Sequence, residues 1–446
     1  MSPRASLFSR VGPGLITVCV VIGPGSILTS SKVGAQFGFE LVWVLLVAIV
    51  LMLTYMTLGA RLGVMADANP GDIIRRRWGG WLTLLLGASV FTIAATFQFG
   101  NNLGVMAALE SWSSSPESGA SSESANAQAT SGVTLGILFL LNGVAAAFLL
   151  GSKKFYQPLE KIMTCFVGFM LLAFLINFAF SRPDPLSLAG GLIPRKDQIL
   201  GQENDWVTII AWIATTFSVA IAYFQAYLVR QKGWGEKDLK SGMIDVGVSA
   251  LLLGSITLMI TGTAAAALRG NDLTDVTMIA TQLEPAFGVW GKRLFCLGLF
   301  SAAYSSFLVN STIGGFMLAD GLGLGSTTSD PWPRRFAVIV LTIGLVVAIV
   351  MKLMGGSIVP AIVFAQALTV VVAPLLGLIL IVLTNSKELM GKHTNGVFLN
   401  TLAGLGLVML FVLSGYVVSQ KIVPKIQSWF FPPAATAKIE PDAASR

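Results

Sequence analysis

The sequence predicts an all-α membrane protein of about eleven transmembrane helices, and three observations carry that prediction. Of its 446 residues, 54% are hydrophobic and 11% charged, where soluble globular proteins carry about 25% charged residues. Mean hydropathy is +0.77. The apolar residues fall in long unbroken runs, each able to cross about 30 Å of hydrocarbon, and not in the period-two alternation of a membrane barrel. A nucleic-acid partner is excluded: the net charge of +7, from 29 Lys and Arg against 22 Asp and Glu, sits in short connecting segments and forms no basic face. Cys19, Cys165 and Cys296 lie in apolar runs and read as small core residues, not as a disulfide framework or zinc site.

The first run, 12–38, follows Arg4 and Arg10. It reads as a retained helix, because Gly12-Pro13-Gly14 and Gly23-Pro24-Gly25 interrupt it and no cleavage site follows. A Gly/Pro interruption inside a span frees backbone groups, which marks either a binding site or a kink in a packed helix. Runs at 41–61 and 80–109 follow. Residues 111–131, SWSSSPESGASSESANAQATS, read as a flexible outer loop of low apolar content. Further runs lie at 132–151, 160–181, 206–230, 243–268, 292–319, 335–353, 357–384 and 396–418, and 419–446 forms a C-terminal tail. The whole chain is one transmembrane domain in the lipid bilayer. With the N-terminus inside, the inner segments hold 17 of the 29 Lys and Arg, so an inside N-terminus and an outside C-terminus are expected.

The string VGPGLITVCVVIGPGSILTSSKVGAQFGFELVW, continuing to ARLGVMADANPGDI, resembles the start of the natural resistance-associated macrophage protein (Nramp) family of divalent-metal transporters. The resemblance returns at LFCLGLFSAAYSSFLVNSTIGGFMLADGL, PWPRRFAVIV and FAQALTVVVAPLLGLILIVLTNSKELMGKHTNG, in order from about residue 11 to 395. It implies a leucine-transporter-like fold of two inverted five-helix repeats, here 12–181 and 206–384, with helices 1 and 6 broken around the substrate. It also implies an extra eleventh helix at 396–418, a divalent metal cation as cargo and a place in the cell inner membrane. No cofactor is expected, and the oligomeric state is not readable.

The departures from the family bear on function. Where the family carries Asp-Pro-Gly-Asn in helix 1, whose Asp and Asn bind the metal, this chain has Gly23-Pro24-Gly25-Ser26. Where it carries Met-Pro-His in helix 6, the positions matched through AYLVRQ are Ser218-Val219-Ala220. The helix 10 glutamine remains as Gln366. The family's Asp and Glu of helix 3 correspond to Gln98 and Asn101, amides that hydrogen-bond but do not titrate. The substrate-binding candidates are therefore Gly23, Ser26, Thr215, Ser218 and Gln366, and no metal-ligand set is named. TTFSVAIAYF contains no Gly or Pro to force a break, so helix 6 is either unwound, as the resemblance implies, or continuous.

Lys32, Gln98 and Asn101 are the pathway candidates. Lys32 shares the stripe Gly25, Thr29, Lys32, Gln36, about 13 Å along the helix from Gly23. There it either repels cations on an access path or snorkels to the headgroups. Gln98, Asn101 and Asn102 either cross-link helices or line a wet cavity. No Asp or Glu falls mid-span, since Glu110, Asp205, Asp245 and Asp320 sit near span ends, and His393 reads as a solvated loop residue. The leading expectation is an Nramp-like transporter that moves a small ion by alternating access without proton coupling. Its rivals are a carrier of a small anion or neutral solute, and a transport-inactive sensor or interaction protein. Catalysis is not expected, because no nucleophile, base and orienting group come together.

Overall fold

The computed structural model describes residues 12–113, 123–151, 156–194, 206–271, 273, 279–280, 284–327, 329–354 and 358–424. Its regular structure, among those residues, is entirely helical: α1 (Pro13–Val21), α2 (Pro24–Phe37), α3 (Val42–Met65), α4 (Pro70–Trp78), α5 (Gly80–Ser113), α6 (Glu123–Gly151), α7 (Tyr156–Ser181), α8 (Pro185–Gly190), α9 (Trp206–Thr216), α10 (Val219–Lys232), α11 (Leu239–Ala267), α12 (Glu284–Leu322), α13 (Pro331–Leu353), α14 (Ile358–Leu368), α15 (Ala373–Thr384), α16 (Lys387–Met390) and α17 (Val397–Val417). With α9–α10 and α14–α15 each taken as one span, ten are long and apolar enough to cross a membrane. The bent pair α1–α2 makes eleven.

Burial sorts these spans by position. Every residue of α1 is buried, and so are residues 208–229 of the α9–α10 span, whereas in α17 only Ala403, Gly406, Leu410 and Val417 are. The two interrupted spans therefore form the axis of the bundle, and α17 turns its side chains to lipid. α5 and α12 pack along each other, α2 against α11, and α3 against α10. At that last contact Gly59 and Gly63, four apart on α3, meet the backbone of Ala222 and Ala226 so closely that a Cβ would lie 2.1 and 2.5 Å from their carbonyl oxygens. Small residues let two membrane helices approach this far.

The break in helix 1 follows from local chemistry. α1 and α2 meet at 57°. Gly23 is extended (φ −95°, ψ −178°), and Pro24 in the first turn of α2 has no N–H to continue the ladder. The Pro24 ring packs on Gly104 of α5, where a Cβ would lie 2.4 Å away.

The break in helix 6 has no such local cause, and it is present. α9 ends at Thr216 and α10 begins at Val219, with Ser218 extended (φ −91°, ψ 97°) between them. Phe217 N–H closes the last turn of α9 on the Ile213 carbonyl at 2.7 Å. The Phe217 ring packs edge-on against Tyr55 of α3 at 5.0 Å between centroids. Tertiary packing holds the unwound residues in place.

Three boundaries differ from those read in the sequence. Helix covers 111–113 and 123–131 of the Ser-rich stretch expected as a loop, and 114–122 lie outside the described residues. A 3-10 turn, Thr369–Val371, divides the expected span at 357–384 ahead of Pro374. Helical structure runs on to residue 424, into the expected tail, of which 425–446 lie outside the described residues.

Candidate functional site

The breaks in helices 1 and 6 face one small cavity of about 10 Å³, room for about one water molecule. Gly23 and Ser26 line it from the break and first turn of α2, Asn101 from α5, Thr215 from the end of α9 and Gln366 from α14. The fold thus brings together four of the five substrate-binding candidates and one of the pathway candidates. Ser218 lines a separate cavity of similar size, with Phe217 and Thr369, on the other side of the helix 6 break. Lys32 is part-buried on α2 and is not among the residues around the cavity.

Two further polar lining residues were not among the candidates, Ser306 and Asn310 of α12. They lie four apart in SSFLVNS, so they share a helix face. Polar residues repeating at that spacing in an apolar span were the available signal.

Four of the side-chain donors around the cavity are engaged by carbonyls of the protein. The Ser306 hydroxyl donates to the Cys19 carbonyl at 2.9 Å, and the Thr215 hydroxyl to the Trp212 carbonyl at 2.9 Å. Asn310 Nδ2 donates to the Ala94 carbonyl at 2.6 Å, and Asn101 Nδ2 to Gln98 Oε1 at 3.2 Å. Ser26 Oγ and Gln366 Oε1 are buried with no hydrogen-bond partner. The four engaged side chains keep oxygen lone pairs free to accept, and Ser26 and Gln366 add two further unpartnered oxygens.

Gln366 reaches the cavity across Gly25. A Cβ on that glycine would lie 2.1 Å from Gln366 Nε2 and 2.5 Å from Cδ. Gly23 has the opposite relation to its surroundings, because its Cβ direction leads into the polar wall, 3.1 Å from Ser306 Oγ and 3.4 Å from Asn101 Oδ1.

No lining residue is ionisable. Among the described residues, no three or more His, Cys, Asp or Glu gather to hold a metal. The amide run of α5 divides its work. Gln98 accepts from Asn101 and, at 3.4 Å, from Asn310 Nδ2, so it ties α5 to α12. Asn102 accepts from Asn142 of α6 at 2.9 Å. Of the three, Asn101 alone lines this cavity.

Comparison with known proteins agrees with this architecture. Divalent metal cation transporter MntH of Yersinia enterocolitica is 25% identical over 93% of this chain and 97% of its own length. MntH of Deinococcus radiodurans is 22% identical over 92% and 89%. Among solved structures, a mutant of the Eremococcus coleocola manganese transporter superposes with a TM-score of 0.78 at 16% identity, over 98% of this chain and 91% of that one. MhsT in complex with L-phenylalanine gives 0.57 at 14% identity, over 92% and 99%. The fold is therefore that of these solved structures. The natural resistance-associated macrophage protein-like family model matches residues 14–420, and the chain is a member of that family.

Proposed function

We propose that this protein carries a divalent metal cation across the membrane by alternating access around the cavity at Gly23, without moving protons. The observation that carries the reading is the set of neutral oxygens on the residues around the cavity, in which Ser26 Oγ and Gln366 Oε1 have no partner within the protein. Oxygen acceptors suit hard cations such as magnesium and manganese, and the wall offers no thioether to favour softer metals. With no carboxylate to offset desolvation, the ion keeps part of its water and binds weakly. The cavity of about 10 Å³ then has to widen at the two breaks before a partly hydrated ion fits.

The uncoupled character rests on the amides of α5, of which Asn101 lines the cavity. Gln98 and Asn101 are amides, so neither accepts and releases a proton at neutral pH. An anion is disfavoured because the Thr215, Ser306, Asn101 and Asn310 donors are engaged elsewhere and Lys32 is not at the cavity. The inner-membrane location, with the N-terminus inside, is supported by the bacterial relatives and by the distribution of Lys and Arg.

Manganese influx into proteoliposomes tests the site. Gln366→Leu keeps the volume and removes the oxygen, and it is expected to lower influx at least about tenfold, the equivalent of 1.4 kcal/mol. Ser26→Ala is expected to lower it a few-fold. Unchanged influx in folded Gln366→Leu would place the ion elsewhere.

A further inference from the structure

The cavity does not use the buried carboxylate of Asp245. Asp245 lies on α11, 0% exposed, and it faces the start of helix 1. The first N–H groups of a helix have no partner within it. Here the Gly12 N–H donates to Asp245 Oδ1 at 2.8 Å and the Gly14 N–H to Oδ2 at 2.7 Å. Pro13 between them has no N–H to satisfy. The negative charge also sits at the positive end of the α1 dipole.

The same carboxylate reaches helix 6. Gln225 of α10 donates from Nε2 to Asp245 Oδ2 at 3.3 Å, and its Oε1 accepts from the Thr17 hydroxyl of α1 at 2.6 Å. One side chain thus joins α1 and α10, the halves of both broken helices on the same face, to α11. The fit is close: a Cβ on Gly14 would lie 2.1 Å from Ser249 Oγ and 2.9 Å from Asp245 Oδ2. Beside Gly12 the ion pair of Lys232 and Glu160, at 2.6 Å, ties α10 to α7.

We propose that Asp245 is a positioning residue that latches the Gly12 end of helix 1 shut. Its release frees α1 and α10 together and opens the cavity at Gly23 to that face. The inference rests on the alternating-access reading but is tested without transport.

Cys19 on α1 is a native reporter. It is 0% exposed, and its thiol donates to the Met163 carbonyl of α7 at 3.3 Å. A Cys165→Ser, Cys296→Ser background leaves it as the sole cysteine. The measurement is the rate at which a membrane-impermeant thiol reagent modifies Cys19 in proteoliposomes, applied to each face in turn. In the parent both rates are expected to be slow. Asp245→Asn, which keeps the shape but presents an amide N–H to one of the two backbone donors, is expected to raise the rate at least about tenfold from the Gly12 face and to leave the other rate unchanged.

Gly14→Ala wedges the same contact and is expected to do likewise, and adding Ser249→Gly is expected to return part of the protection. This second pair decides the matter if Asp245→Asn does not fold. Unchanged Cys19 reactivity in folded variants overturns the latch, and so does an equal rise from both faces, which reports general loosening. Metal influx is read in separate vesicles. A latch that behaves as described in a protein with no influx would remove the transport reading and leave the latch standing.

Discussion

Gly23→Asp is expected to tighten divalent-metal binding about 10- to 100-fold. The backbone at Gly23 is extended, at φ −95°, so any residue can adopt it. The Cβ direction leads between Ser306 Oγ at 3.1 Å and Asn101 Oδ1 at 3.4 Å, so neighbours have to give by only a few tenths of an ångström. A carboxylate placed there joins a wall that otherwise holds only neutral oxygens. Two unit charges about 4 Å apart attract by about 4 kcal/mol at an effective dielectric constant of 20. Desolvation of the carboxylate offsets much of that gain. Titration of the purified variant with manganese, read by calorimetry, checks the change. The variant's affinity is also expected to fall as pH falls, because a protonated carboxyl is a poor ligand, while the parent's affinity stays level. Unchanged affinity in a folded variant would show that the break is not where the ion sits.

Gly25→Ala is expected to cut metal influx at least about tenfold with little change in melting temperature. The added methyl takes the place of the Gln366 amide, 2.1 Å from Nε2 and 2.7 Å from Cγ. The glutamine is a flexible side chain, so it swings aside at small cost to folding but leaves the cavity. Adding Gln366→Ser, which is short enough to share the space, is expected to recover part of the influx through its hydroxyl. Normal influx in Gly25→Ala would mean that the position of Gln366 does not matter to the cargo. A melting temperature lowered by more than about 4 °C, roughly 1 kcal/mol or more for a large domain, would mean that Gly25 is a packing residue first.

Helix 1 and helix 6 differ in how far their breaks were legible. Gly23-Pro24-Gly25 announces an interruption in its own residues, since proline lacks the donor and glycine adopts the extended joint. Phe217-Ser218 carries no such mark, and the joint there is held by the Tyr55 ring on another helix. No reading of TTFSVAIAYF alone supplies that contact.

The cavity wall divided in the same way. Ser26, Thr215 and Gln366 were reachable through their places in a Gly/Pro-interrupted span or in the family pattern. Ser306 and Asn310 offered only their four-residue spacing in an apolar span, because their role depends on which face of α12 meets the breaks. The three amides of α5 show the limit most clearly. Within five residues Asn101 lines the cavity, Gln98 bonds across to α12 and Asn102 to α6, a division set by neighbouring helices. Asp245 read only as an acid near a span end, because its partners, the N–H groups of Gly12 and Gly14, lie more than 230 positions away in the chain.

The measurement that bears most directly on the neutral site is simultaneous manganese and proton flux in proteoliposomes, with a metal-quenched dye and a pH-sensitive dye, across imposed proton gradients of either sign. A neutral, uncoupled site gives influx above that of empty liposomes, equal with and without the gradient, and no accompanying acidification. Influx driven by the proton gradient would contradict the uncoupled mechanism, and no influx through folded protein would contradict metal transport itself.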